Sequence, residues 1–366
     1  MAANIEIRTI NGVETASFIE NGSKDIAWHR LGTRTQGALT AKEALKGAHA
    51  DFDVALQPIV AISPEINSLI EQGNDIPAEM LKQFFINNRM ATMRTDYNEV
   101  LGVVGDGYGV VQNRDAFNFI DILTNGELGS NTPTIECAGV LGNGERIFIT
   151  AKFPESIALS NNDLINNYAV FTTSHDGSGA VTCMITPVRV VCQNTLNLAF
   201  RKNSGKVSFK HTRNVGQRID LTNRKNAEYA YKTLGLYNEY IEVFKTKIEK
   251  MAQTKLDEKW VDDILAQVLL PEKSYKIFQL SDFGIDCDDI STRSKNTFNN
   301  VKQTLYTGIG QELLEPNTGL WLVNGLTTYY QNTNLWKDEE KKFNAIIDGS
   351  VQNKVQKMYN LIEAAA

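Results

Sequence analysis

The stretch from Thr134 to Phe153 restricts the fold more than any other. Two apolar runs, Thr134–Leu141 and Arg146–Phe153, flank Gly142-Asn143-Gly144. Asn-Gly between apolar runs is a strong hairpin signal, because both residues accept the positive φ that a tight β-turn needs. A second unit follows: Tyr168–Ser174, the turn Asp176-Gly177-Ser178-Gly179, then Val181–Val191. Two successive hairpins predict antiparallel β-structure in the middle of the chain. Further on the period changes. Tyr231, Leu234, Tyr237, Ile241, Phe244 and Ile248 recur at steps of three and four, which is a helical face. The expected class is α+β, with an antiparallel β-hairpin core carrying helices and a mainly helical C-terminal half.

Four segments are expected. Residues 1–60 form a strand and helix segment packing on the core. They hold an alternating run from Ile5 to Val13, the motif Trp28-His29-Arg30-Leu31-Gly32-Thr33, and a capping box at Thr40 and Glu43 that opens a helix over Ala41–Ala48. Phe52, Val54 and Leu56 alternate as a strand ending at Pro58. Residues 61–98 read as a helical insertion, with Pro64 and Pro77 each preceding a helix-like run, and a strand-like stretch from Met90 to Thr95. Residues 99–215 form the α+β core. There Gly105-Asp106-Gly107 is expected to turn Val100–Val104 back onto Tyr108–Gln112, ahead of a helix over Arg114–Thr124. Asn194–Phe200 reads as a helix continuing the last strand. Residues 216–366 form the helical domain, with helices at Arg224–Met251, Leu256–Leu269, Thr292–Thr307, Thr318–Gln331 and Glu339–Glu363.

Several classes are excluded at this stage. Glu6 and Arg8 stand where a secretory signal would need apolar residues, and no uninterrupted apolar run of about 18 residues exists to span a membrane. The four cysteines, Cys137, Cys183, Cys192 and Cys287, make no C-x-x-C pair, which points to reduced thiols in a cytoplasmic protein. No metal site, cofactor or catalytic residue is expected. The chain has no G-x-x-x-x-G-K-[ST], and Gly105-x-Gly107-x-Gly109 separates strands instead of opening a helix, so a nucleotide loop is disfavoured. Asp176-Gly177-Ser178-Gly179 has Asp where a nucleophile elbow has Gly. His175 beside Asp176 and the acidic run Asp282, Asp286, Asp288, Asp289 are the only candidates for an enzyme of nucleotide metabolism.

The net charge of −6 argues against a chain coated with nucleic acid, yet the charge is unevenly spread. Residues 201–225 carry eight Lys and Arg against the single acid Asp220, about +7, leaving about −13 for the remainder. Arg201, Lys202, Lys206, Lys210, Arg213 and Arg218 are accompanied by Phe209 and His211, and Arg189 lies on the strand leading there. If the segment is extended, Lys206, Ser208 and Lys210 share one face. Cations that follow phosphates, with rings that stack on bases, are what a single-stranded nucleic-acid groove uses. Trp28 is a further stacking candidate.

Four motifs resemble the phage- and plasmid-borne family known as domain of unknown function 932. They are Trp28–Thr33 with Leu39–Ala44, Tyr108–Asn113, Pro187–Leu196 with His211-Thr212, and Asn317–Trp321 with Asn324–Tyr329. Arg30 and Gly325 depart from the family's commoner Gly and Ala, and residues 330–336 lack its basic segment. The resemblance implies an origin on a mobile element and assigns no reaction. The order of elements is also similar to the β-β-β-α core of phage single-strand annealing proteins of the RecT, Redβ and Erf kind, an analogy of topology alone. The functional expectation is an ATP-independent protein that binds and anneals single-stranded DNA, assembled as a homo-oligomeric ring or filament. The alternatives are an interaction protein that neutralises a host defence factor, and the nucleotide-metabolism enzyme.

Overall fold

A computed structural model describes residues 5–22, 32–124, 132–160, 163–189, 194–195, 206–214, 241–337, 341–342, 345–346 and 349–365. The chain divides into two units, and neither is one continuous stretch. The first takes Met1–Lys152, Ala169–Met184 and Val207–Tyr231; the second takes Phe153–Tyr168, Ile185–Lys206 and Lys232–Ala366.

The first unit begins with β1 (Ile7–Ile10) and β2 (Val13–Ala16), an antiparallel pair. The expected run from Ile5 to Val13 is broken at Asn11-Gly12, where φ is +52° and +81°, as a two-residue turn between twisted strands requires. β3 (Phe18–Asn21) pairs in parallel with β4 (Thr33–Thr35) and antiparallel with β8 (Thr134–Leu141). β8 makes the expected hairpin with β9 (Arg146–Ser160), which runs beyond Phe153 into the second unit. β10 (Asp163–Ser174) and β11 (Val181–Arg189) extend the same sheet, in the order β12-β11-β10-β9-β8-β3-β4, and β13 (Lys206–Phe209) pairs with β11.

A three-stranded sheet belongs to the first unit: β5 (Val54–Val60), β6 (Phe85–Arg94) and β7 (Glu99–Gly105). β5 does not end at Pro58. It is an edge strand with a bulge between Pro58 and Val60, and an edge tolerates a residue without an N–H. The expected hairpin about Gly105-Asp106-Gly107 is also corrected. β7 pairs with β6 instead, and beyond Gly107 only Tyr108 makes a bridge, to Thr212. The physical reason lies in Gln112. Its amide donates to the Val54 carbonyl and accepts from the Val54 N–H, both at 2.9 Å, so the chain is drawn beside β5 rather than back along β7.

The helix α1 (Ala41–Gly47) carries the full capping box: the Thr40 side chain accepts from the Glu43 amide, and the Glu43 carboxylate accepts from the Thr40 N–H at 2.9 Å. These bonds hold the Glu43 carboxyl below its usual range. Thr40→Ala should destabilise this helix by about 1 kcal/mol, read as faster amide exchange over residues 41–47; unchanged exchange would show that packing against α2 (Asn113–Thr124) fixes it without the cap.

In the second unit, β12 (Asn194–Thr195) pairs with the end of β11, Arg189 opposite Asn194. The expected helix over Asn194–Phe200 is therefore wrong at its first two residues, and Phe200 lies outside the described residues. An open ladder on β11 offers these residues hydrogen bonds, and tertiary pairing overrides a weak helical preference. Residues 241–253 are helical, in agreement with the end of the expected Arg224–Met251 helix, whose beginning lies outside the described residues. Helices follow at Glu258–Leu269, Glu272–Leu280, Thr292–Thr307, Gly319–Thr328 and Ser350–Ala365. Glu272–Leu280 was not expected.

Every residue of Gly319–Thr328 is buried, and the helix packs against Thr292–Thr307 and Ser350–Ala365. A helix apolar on nearly all sides belongs at the centre of such a bundle. Its interior polar groups are satisfied: Asn324 donates to the Gln311 side chain at 2.7 Å, and Gln311 donates to the carbonyls of Leu305 and Trp321. A single π-helical turn, Tyr329–Thr333, ends it.

Candidate nucleic-acid interface

The expected interface residues divide between the two units and the undescribed segments. Trp28, Arg201, Lys202 and Arg218 lie outside the described residues. Arg189 ends β11 and Lys206 begins β13, both assigned to the second unit, while Phe209, Lys210, His211 and Arg213 belong to the first.

The backbone of Lys206–Phe209 is extended, as the alternation predicts. Ser208 and Lys210 are exposed, and Phe209 between them is half-buried, as strand geometry requires. The aromatic ring therefore does not share a face with Lys210. Ser208 lies against the edge of β11, with its hydroxyl 3.3 Å from that of Thr182.

His211 is buried, not displayed. Its Nδ1–H donates to the Gly109 carbonyl at 3.1 Å, which leaves Nε2 as the acceptor facing the Thr173 hydroxyl at 3.4 Å. Tyr108 stacks on its ring at 4.8 Å and donates its own hydroxyl to the Ser174 carbonyl at 3.1 Å. Burial lowers the His211 pKa and raises that of Tyr108, so both rings are neutral near pH 7. His211 thus fastens the Tyr108–Thr212 bridge, with its ring covered rather than displayed.

Past this fastener the chain returns to the surface. Arg213 is exposed and is held to the turn after β7: its Nε and Nη2 donate to the Asp106 carbonyl at 3.3 and 3.1 Å, and Nη2 lies 3.4 Å from the Asp106 carboxylate. The same turn is flanked by a cation that sequence reasoning missed. Arg89 on β6 is opposite Gly105, and its guanidinium reaches to 3.8 Å from where a Cβ at Gly105 would stand. The signal was the polar run Asn87-Asn88-Arg89, all exposed, inside an otherwise apolar strand. Arg213 and Arg89 thus flank the turn Gly105-Asp106-Gly107, and exposed Lys210 stands three residues before Arg213 on the same segment. A carboxylate and a carbonyl are what Arg213 contacts there, the kind of oxygen acceptors a phosphate also offers.

His175, one of the side chains considered for catalysis, is fully buried. Asn113 donates through Nδ2 to the Ala50 carbonyl at 2.8 Å, so its Oδ1 accepts from His175 Nε2–H at 2.7 Å, and Nδ1 is the bare nitrogen. Burial, with the neighbouring His211 adding to it, pushes the His175 pKa down to about 3. Asp176 closes a surface turn by accepting from the Ser178 amide and hydroxyl. Adjacent in sequence, the two side chains have separate partners. Asp282 sits opposite Lys259, and among the described residues no three His, Cys, Asp or Glu are grouped to hold a metal. The described thiols, Cys137, Cys183 and Cys287, are free, and burial raises the pKa of the first two. No helix among the described residues is long and apolar enough to cross a membrane.

No curated protein and no solved structure matches the chain. A family does match, over residues 100–347, from the second residue of β7 through the buried central helix and beyond it. With more than half of its length matched, the chain belongs to the family described as Domain of unknown function (DUF932).

Proposed function

We propose that this chain binds single-stranded DNA through its phosphate backbone, as an ATP-independent binding and annealing protein of phage or plasmid recombination or replication. It would act in the host cytoplasm as a homo-oligomer. The observation that carries the reading is the pair of exposed cations Lys210 and Arg213 on one short segment, with Arg89 beside the turn that Arg213 reaches, in a chain otherwise strongly acidic. Point cations on an extended strand can follow phosphates without reading bases. Base stacking by Phe209 receives less support, since that ring is half-buried in alternation with Lys210. The strand at Asn194–Thr195 also weakens the analogy with annealing proteins, which rested in part on a helix there.

A second reading is favoured by a different observation. Phe85, Ile86, Val100 and Val103 leave large apolar side chains exposed on β6 and β7, as a protein-binding surface would. That suits the phage interaction protein directed at a host factor.

Titration of labelled single- and double-stranded oligonucleotides at low and moderate salt separates the two. Single strands should bind at low salt, with log K falling steeply against log salt. Lys206→Glu, Lys210→Glu and Arg213→Glu together should abolish binding. Single reversals should each flatten the salt slope by about 0.7 for every phosphate no longer neutralised. Binding of neither strand type above background at low salt would overturn the DNA reading.

A further inference from the structure

The three-stranded sheet ends differently at its two margins. At β5 the Val54 N–H and C=O are taken by Gln112. At the other margin β7 pairs with β6 alone, and among the described residues no hydrogen bond from outside β6 reaches the backbone of Val100–Val104. Along a strand, alternate N–H and C=O groups turn away from the paired neighbour, so β7 presents unpaired backbone groups. Proline, lysine and covering elements are the usual guards of such an edge. Val100–Gly105 contains no proline and no charge. Its one guard is the extra residue Leu101, set between Val100 opposite Met93 and Gly102 opposite Thr92, which confines a regular added ladder to Gly102–Gly105.

The two faces of β7 differ as well. On the inner face a Cβ at Gly102 would stand 2.5 Å from Asp176 Cα, and Val104 lies against Gly177, so the turn after β10 closes that side. On the outer face Val100 and Val103 are each 59% exposed. Gly102 and Gly105 are half-buried, and having no side chains they can expose only backbone. Arg89 brings a charge to the outer face. It is opposite Gly105 across the ladder, as Ala91 is opposite Val103, so its side chain rises on the side of Val103. Arg89 is exposed and makes no hydrogen bond or ion pair among the described residues.

A strand added to β7 would set one residue opposite Val103 and the next on that face opposite Gly105. The first meets an exposed isopropyl group. The second meets an unpaired guanidinium, which favours a carboxylate. A second copy of the chain fits less well, because the carboxylate that β7 carries, Glu99, already accepts from Arg8 at 2.7 Å. Resting on the reading of this chain as an interaction protein, we propose that the free edge of β7 binds an extended segment of another protein as an added strand, with an apolar residue opposite Val103 and an acidic residue two positions along, opposite Gly105 and beside Arg89.

The full chain should be titrated, by fluorescence anisotropy, with labelled, end-blocked threonine peptides carrying one valine and one glutamate two positions apart, in both orders, one for each direction of the added strand. Saturable binding of at least one order is expected, and replacing its glutamate by lysine should weaken it about tenfold. In Arg89→Glu the preference should reverse, with the lysine peptide binding better. Val103→Lys, at an exposed side chain, should weaken binding at least fivefold. N-methylation of every second peptide amide is the decisive arm: one alternate set should abolish binding, and the other should leave it within about twofold. Equal effects of the two sets overturn the added strand; where Val103→Lys still weakens binding, the apolar surface stands as a protein contact of another kind. Failure of every peptide to saturate overturns the edge. A dimer in sedimentation that is lost in Val103→Lys overturns it in favour of a second copy. The oligonucleotide titration, not this one, decides between the two readings of the chain.

Discussion

Arg94→Ala should destabilise the first unit by about 3–5 kcal/mol, the usual consequence of removing one member of a buried ion pair. Arg94 is 1% exposed on the last position of β6. Its Nη1 donates to Glu6 Oε1 at 2.6 Å and to the Asn143 carbonyl at 2.9 Å, and its Nε and Nη2 donate to the two carboxylate oxygens of Asp96 at 2.8 Å each. The face of the guanidinium rests over the Phe52 ring at 3.8 Å. One side chain thus joins the N-terminal strand segment, the start of β5, the β6–β7 turn and the β8–β9 turn. Glu6 is buried as well, and would keep only Arg8 and the Ser17 hydroxyl. Arg94→Met retains much of the contact with Phe52 while losing every donor, so it should be nearly as damaging. Arg94→Lys should recover little, because one ammonium cannot bridge Asp96 in a two-pronged manner and reach Glu6. Urea unfolding, with amide exchange in β5–β7 to assign the transition to this unit, gives the values. A loss below about 1 kcal/mol for Arg94→Ala would show that the network does not hold the unit together.

Acid should act through His175. Its folded pKa is near 3, against 6.5 for the free side chain. The folded form therefore stays neutral where the unfolded chain takes up a proton, and stability falls as pH drops from about 6.5 toward 3. The slope is on the order of 1 kcal/mol per pH unit, and the total on the order of 4 kcal/mol. His211, depressed in the same direction by its own burial, adds to the slope. Asp176 opposes the shift of both, and Arg94 reinforces that of His175. His175→Gln keeps a donor for Asn113 and carries no titrating group. It should flatten the dependence of unfolding free energy on pH by close to one proton between pH 6 and 4. An identical acid slope in that variant would place the proton uptake elsewhere.

What was legible in the sequence was local. Thr40 and Glu43 stand three apart and make their bonds within one turn, so the capping box could be read directly. The β8–β9 hairpin was legible for the same reason, since its glycines carry the turn: Gly142 and Gly144 both take positive φ. Arg94 was not legible, because its partners come from residues 6, 52, 96 and 143, and nothing nearby marks an arginine in a strand as buried. The environment of His211 was not legible either. It stands among Lys and Arg residues as a candidate contact, yet Gly109 and Tyr108, a hundred residues earlier, decide its environment. Arg89 was missed for want of the pairing that sets it opposite Gly105. The hairpin expected after Gly107 failed because a side chain, Gln112, took the partner that a strand would have had.

That substitution of a side chain for a strand has a consequence for crowded solution. The outer edge of a sheet is a template on which another chain can add, and repeated addition builds aggregates. At β5 the outward N–H and C=O of Val54 are already committed to Gln112, Pro58 has no N–H to offer, and the bulge before Val60 breaks the register an incoming strand would need. The margin of β5 is closed to recruitment, so growth of this sheet from one molecule into the next cannot begin at that edge.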